Sequence, residues 1–163
     1  MRRILKLLTP LALTLALSGG LVAGPAQAMG SGGSDSESAK AVDPNYAAGR
    51  QLVEDGKYAE AIPLLEKAVA ADAKNADALN YLGYSNRQLG NHDAALSHYQ
   101  AALAIEPRHR GANEYLGELY LTLGDLAKAE ERLEVLDDAC FFGCEEYTEL
   151  KNAIAAYKTK AGS

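Results

Sequence analysis

Tryptophan is absent from the 163 residues, and phenylalanine and cysteine each occur only twice. Hydrophobic residues still make up 48% of the chain, with alanine abundant. That composition suits close-packed helices in one small domain rather than a large globular core. Positive charge is scarce once the first 28 residues are set aside, where 13 basic residues stand against 22 acidic ones. Such a balance argues against nucleic-acid binding, since phosphate contacts need clustered Lys and Arg, and it disfavours an anionic membrane surface. Catalytic constellations are missing as well. No nucleophile stands beside a base, there is no phosphate-binding loop, and no carboxylate pair falls in a plausible cleft. The expectation is a non-enzyme without a cofactor. Zinc needs four ligands, and His92, His98 and His109 are too far apart along the chain to supply them, so no metal is expected. Each histidine reads as a solvated surface residue.

The N-terminus has the three parts of a secretory signal. Arg2, Arg3 and Lys6 form a charged region, Leu7 to Leu17 an apolar one, and Ala26-Gln27-Ala28 a small-residue cleavage site. The apolar run is short for about 30 Å of hydrocarbon, and Pro10, Gly19 and Gly20 weaken it further as a membrane span. No cysteine lies near the cut to carry a lipid. The expectation is therefore a signal peptide over 1–28, cleavage after Ala28, and an exported, periplasmic product with no stable membrane insertion. Residues 29–41 are Gly/Ser-rich and read as a flexible leader.

What the remaining sequence does contain is a period. Gly49, Gly83 and Gly117 recur every 34 residues, as do Ala61, Ala95 and Ala129. Leu65, Tyr99 and Leu133 share the next apolar position, and Gly56, Gly90 and Gly124 the turn between helices. Small residues in register mark places where two helix backbones approach closely and a larger side chain would force them apart. Asp43-Pro44, the Pro107 stop and the Asp125 cap add helix boundaries to the same frame.

A fixed period of 34 with small residues in register resembles the tetratricopeptide repeat family. The resemblance implies an all-α, right-handed helix–turn–helix solenoid. Three repeats are expected over 42–75, 76–109 and 110–143, followed by a C-terminal capping helix and tail over 144–163. The cap reads as amphipathic, with Tyr147, Leu150, Ile154 and Tyr157 on one face and Glu145, Glu146, Lys151 and Lys158 off it, as a terminal repeat requires.

In this family the first helices line a concave groove. The matching positions here are Tyr46 and Arg50, then Asp77, Asn80, Tyr84 and Arg87, then Glu114, Glu118 and Leu121. Tyr81 and Tyr115 sit one residue from that line. Tyr and Arg are the side chains that most often anchor interfaces, so the strip reads as a partner-binding groove rather than a merely solvated face. The family's carboxylate clamp is not matched, because Tyr46, Arg50, Tyr81, Gly111 and Tyr115 stand at its positions and only Arg50 is cationic.

Cys140-Phe-Phe-Gly-Cys144 joins the third repeat to the cap. Three readings stand. A structural disulfide fits an even count and an oxidising compartment; a redox pair lacks the Cys-x-x-Cys spacing and βαβ setting of that chemistry; a metal site lacks further ligands. The overall expectation is a scaffold that binds a protein or peptide through its concave face. The alternatives are a thiol–disulfide role at Cys140 and Cys144, or a structural part of a cell-envelope complex. Neither the partner nor the oligomeric state is legible.

Overall fold

Side chains next to the helix ends set where the helices begin. The structure, a computed structural model, describes residues 42–162. The signal-peptide and leader readings, 1–28 and 29–41, lie outside the described residues. The described residues form seven helices: α1 (Pro44–Glu54), α2 (Tyr58–Ala71), α3 (Ala76–Gln88), α4 (His92–Ile105), α5 (Arg110–Thr122), α6 (Leu126–Ala139) and α7 (Glu145–Ala161). Asp43 accepts from the Tyr46 N–H at 2.9 Å, Asn75 from Ala78 at 2.9 Å and Asp125 from Lys128 at 3.2 Å. Each satisfies a backbone donor that the first turn would otherwise leave unpaired. Pro44 takes the first helical position of α1, where no N–H is needed. Gly56, Gly90 and Gly124 turn each pair at φ of +74°, +78° and +81°, a region that side chains with a Cβ disfavour.

Consecutive helices pack in pairs, α1 with α2, α3 with α4 and α5 with α6, while α1, α3 and α5 also touch one another in series. The result is an all-α solenoid of three helix pairs, closed by α7, which packs mainly on α5 and also on α6. Each pair closes at a small residue. A Cβ placed on Gly49 would stand 2.8 Å from the Leu65 side chain, and one on Gly83 would stand 2.5 Å from the Tyr99 ring. Ala61, Ala95 and Ala129 are fully buried on the facing helices. The third crossing differs. A Cβ on Gly117 would meet Leu150 of α7 at 2.6 Å, and Leu150 is fully buried whereas Leu133 of α6 is only half-buried. The capping helix therefore supplies the side chain that Leu65 and Tyr99 supply from within their own pairs.

Polar groups hold the second and third pairs in line. Asn113 is fully buried, donates to the carbonyls of Pro107 (3.1 Å) and His109 (3.0 Å), and accepts from Arg132 of α6 (3.4 Å). His109 is not the solvated histidine expected from sequence. Its Nδ1 accepts from the Ala112 N–H at 3.1 Å and caps α5, which leaves Nε2–H to donate to Asp77 of α3 at 3.0 Å. His98 is half-buried too, and burial pushes its imidazole below the usual range.

Cys140 and Cys144 are disulfide-bonded, with Cα atoms 5.6 Å apart. The bond closes a short loop between α6 and α7 in which Gly143 takes φ +82°. Phe141 and Phe142 project from it at 89% and 97% exposure. Arg108 donates to the Asp138 carbonyl at the end of α6 and ties this corner back to the second pair. No described helix is long and apolar enough to cross a membrane.

Candidate functional site

Helical spacing puts Tyr84 and Arg87 on one face of α3, and the side-by-side stacking of α1, α3 and α5 turns that face into a shared surface. Tyrosines run along it. Tyr46 of α1 and Tyr81 of α3 have ring centroids 6.1 Å apart. Tyr58 meets Tyr84 edge-on at 5.8 Å, and Tyr84 meets Tyr115 of α5 at 4.8 Å. A shallow hollow of about 290 Å³ opens between Val53, Glu54, Tyr58, Tyr81, Tyr84 and Tyr115. Burial raises the phenols of Tyr81, Tyr84 and Tyr115 above their ordinary range and pushes Tyr46 up to about 12, with Asp77 adding to the last. All of them stay protonated at neutral pH and present both a donor and an acceptor.

Arg87 lies against two of these rings. Its guanidinium carbon stands 5.4 Å from the Tyr84 ring and 5.5 Å from the Tyr115 ring, and it bonds Glu118 of α5 at 2.8 Å. Cation–π attraction of this kind contributes roughly 0.5–2 kcal/mol depending on solvation. Arg87 thus joins α3 to α5 while leaving one edge of each ring to the hollow. Arg50 is more exposed and pairs with Glu54 one turn on, at 3.2 Å. Asp77 sits toward the edge of α3, where the bond from His109 holds its carboxyl below the usual range.

The expected groove residues do not all share this surface. Tyr84, Arg87 and Glu118 are brought together. Tyr46 and Arg50 lie further along α1. Asn80 is buried beside Gly111, and its Oδ1 has no partner. Leu121 packs into the core made by Ala129, Leu136, Leu150 and Ile154 rather than lining the hollow. Glu114 is 3% exposed, and its carboxyl is within hydrogen-bond reach of Glu149 of α7.

Sequence reading under-weighted three groups. Tyr81 and Tyr115 are 34 residues apart, so the period itself placed both at one position of the fold. Tyr58 opens α2 just after the Gly56 turn, and no helix-face pattern on α1 or α3 could select it. Glu145 and Glu146 read as ordinary exposed helix charges, yet they lie with Glu114, Tyr115 and Glu149 around one recess. Among the described residues, no three or more His, Cys, Asp or Glu side chains converge in a way that could hold a metal ion.

Tetratricopeptide repeat profiles match residues 46–108 and 86–157. Cellulose synthase operon protein C of Escherichia coli K12 is 36% identical over 75 residues, which cover 44% of this chain but 6% of that protein. The translocator chaperone SycD of Yersinia enterocolitica, solved with a peptide of the translocator YopD, superposes with a TM-score of 0.62 at 21% identity, over 72% of this chain and 92% of that one. The first TPR of Spaghetti (RPAP3), solved with an HSP90 peptide, gives 0.64 at 21% identity, over 73% and 91%. At such identities the likeness is one of fold. These solved structures are a type III secretion translocator chaperone and an HSP90-peptide-binding repeat rather than periplasmic proteins, and the expectation of an exported, periplasmic protein is corrected on that finding.

Proposed function

The chain belongs to the tetratricopeptide repeat family, and from that premise we propose that it is a non-catalytic scaffold that binds an extended protein or peptide segment. The binding surface is the tyrosine-lined face of α1, α3 and α5. The observation that carries this reading is the pair of rings Tyr84 and Tyr115 beside Arg87, with Tyr58 edge-on to Tyr84. Aromatic rings and a guanidinium fixed in place lose little conformational freedom on binding, which is why such side chains dominate interface energetics. Two solved structures of the same fold hold peptides of other proteins, which supports a peptide-sized ligand. The repeat units proposed are 42–75, 76–109 and 110–143, with 144–163 as the cap.

Selection of a random peptide library on the immobilised chain tests the reading. Peptides so obtained should bind the Tyr84→Ala/Arg87→Ala variant at least about tenfold more weakly, a loss of about 1.4 kcal/mol. The variant should keep its helical content. Equal affinity for the two proteins would show that the ligand sits elsewhere.

A further inference from the structure

We propose that the recess between α5 and α7 is a pocket for a lysine or arginine side chain of the segment held in the groove, an inference that rests on the groove reading above. The recess measures about 290 Å³ and is lined by Glu114, Tyr115, Glu145, Glu146 and Glu149. Tyr115 also lines the aromatic hollow, so the recess and the hollow share that residue as a common wall. The pocket contains four carboxyl groups and a phenol, and among the described residues none of the four is ion-paired with a cation. The groove's own cations are held elsewhere, Arg87 by Glu118 and Arg50 by Glu54. The carboxyls do not converge on one point as metal ligands would. Their spread around an aromatic wall suits a longer organic cation, which gains charge-assisted hydrogen bonds from several acids and a ring face from Tyr115.

Glu114 is the second observation. It is a carboxyl at 3% exposure that lines this recess. The groups that act on it are Glu149 and Glu146 of α7 and Glu118 of its own helix. From α3, Arg87 reaches α5 but is bound to Glu118, and from α6, Arg132 reaches α5 at Asn113. A buried carboxylate needs a proton or a cation to remain buried. Burial first, and then these acids, push Glu114 up to about 9, so the free protein holds the proton. An arriving ammonium or guanidinium replaces it. Glu114 then ionises, its proton passes to solvent, and the ligand's charge takes its place. A ligand lysine keeps its own proton throughout, with an ordinary pKa of about 10.4. Binding is thereby linked to release of up to one proton, and affinity rises with pH until about 9, where the free protein has already lost it.

Titration calorimetry at pH 7.5 tests this with three synthetic peptides that share one apolar, aromatic frame and differ in a central lysine, glutamine or glutamate. The lysine peptide should bind about tenfold more tightly than the glutamine peptide, a difference of about 1.4 kcal/mol, with the glutamate peptide weakest. Repeating the titration in buffers of different ionisation enthalpy should show proton release for the lysine peptide alone. Glu114→Gln should abolish that release. The Glu145→Gln/Glu146→Gln/Glu149→Gln variant, checked for an unchanged melting temperature, should lose the lysine preference while still binding the glutamine peptide. If all three peptides bind alike, and through Tyr84 and Arg87, the pocket inference fails and the groove reading stands. If binding ignores Tyr84 and Arg87, or no peptide binds, both fail.

Discussion

The first two helix pairs and the third solve the same packing problem with different parts. Gly49 is filled by Leu65 and Gly83 by Tyr99, each from the second helix of its own pair. Gly117 is filled by Leu150, which comes from the capping helix, while Leu133 in the matching position stays half-buried. The third pair is thus incomplete without α7, whereas the first two close on themselves. A solenoid repeat leans only on its neighbours, so damage to the cap should reach α5 and α6 before it reaches α1 to α4. The same arrangement sets α7 against α5 and brings its acids beside Glu114, which links the packing difference to the proposed binding pocket.

The largest expected effect comes from removing that wedge. Leu150→Ala should cost about 2–5 kcal/mol, the range for a buried leucine truncated to leave a cavity. Leu65→Ala should match it, and Leu133→Ala should cost clearly less. Urea unfolding of the three variants decides the matter; equal costs for Leu133→Ala and Leu150→Ala would remove the distinction between the pairs. Next are the small residues themselves. Gly83→Ala and Gly117→Ala should each cost about 1–3 kcal/mol by overpacking. Gly83→Ala should be the worse, because a fixed Tyr99 ring cannot step aside as the end of Leu150 can. Thermal melts of the pair would show the order, and a reversal would count against the ring as the stiffer neighbour.

Much of this architecture was legible beforehand. Asp43-Pro44, Pro107, Asp125 and the three turn glycines announce helix ends through local chemistry, which does not depend on distant contacts. The 34-residue period announces the stacking. The departures arise where tertiary geometry decides. Period alone assigns Leu133 to Gly117, since nothing in the spacing says that Leu150 of α7 will fill that place. His109 looked like a surface residue because its partner, Asp77, lies 32 positions away. Glu145, Glu146 and Glu149 sit off the apolar face of α7, and only the docking of that helix on α5 turns them toward Tyr115. Periplasmic export rests on residues 1–28 alone and is the one expectation that the comparisons overturn.

The disulfide should matter less to stability than the wedge. Closing so short a loop removes about 2 kcal/mol of chain entropy from the unfolded state at most. Cys140→Ser/Cys144→Ser should therefore raise amide exchange over α7 and the end of α6 while α1 to α4 remain protected. Uniform loss of protection along the chain would mean that the cap is not a separable unit. The finest comparison is between Glu114, with no cation beside it, and Glu118, paired with Arg87. Glu114 is held at about 9 in the fold, above its ordinary value of 4.5. The folded state then keeps a proton that the unfolded state releases, so stability is full below about pH 4.5 and declines as pH rises toward 9. The slope is about 1.4 kcal/mol per pH unit at most. Glu114→Gln should equal the wild type at pH 4 and surpass it at pH 8. Parallel pH profiles would contradict a proton held at this site.

Binding at the tyrosine face of α1, α3 and α5 is tested by a nuclear magnetic resonance titration of the labelled chain with the lysine peptide. Shifts are expected to concentrate at Tyr58, Tyr81, Tyr84, Arg87 and Tyr115, extending to Glu114 and Glu146. Shifts centred instead on the exposed Phe141 and Phe142 loop, with the tyrosines unmoved, would contradict it.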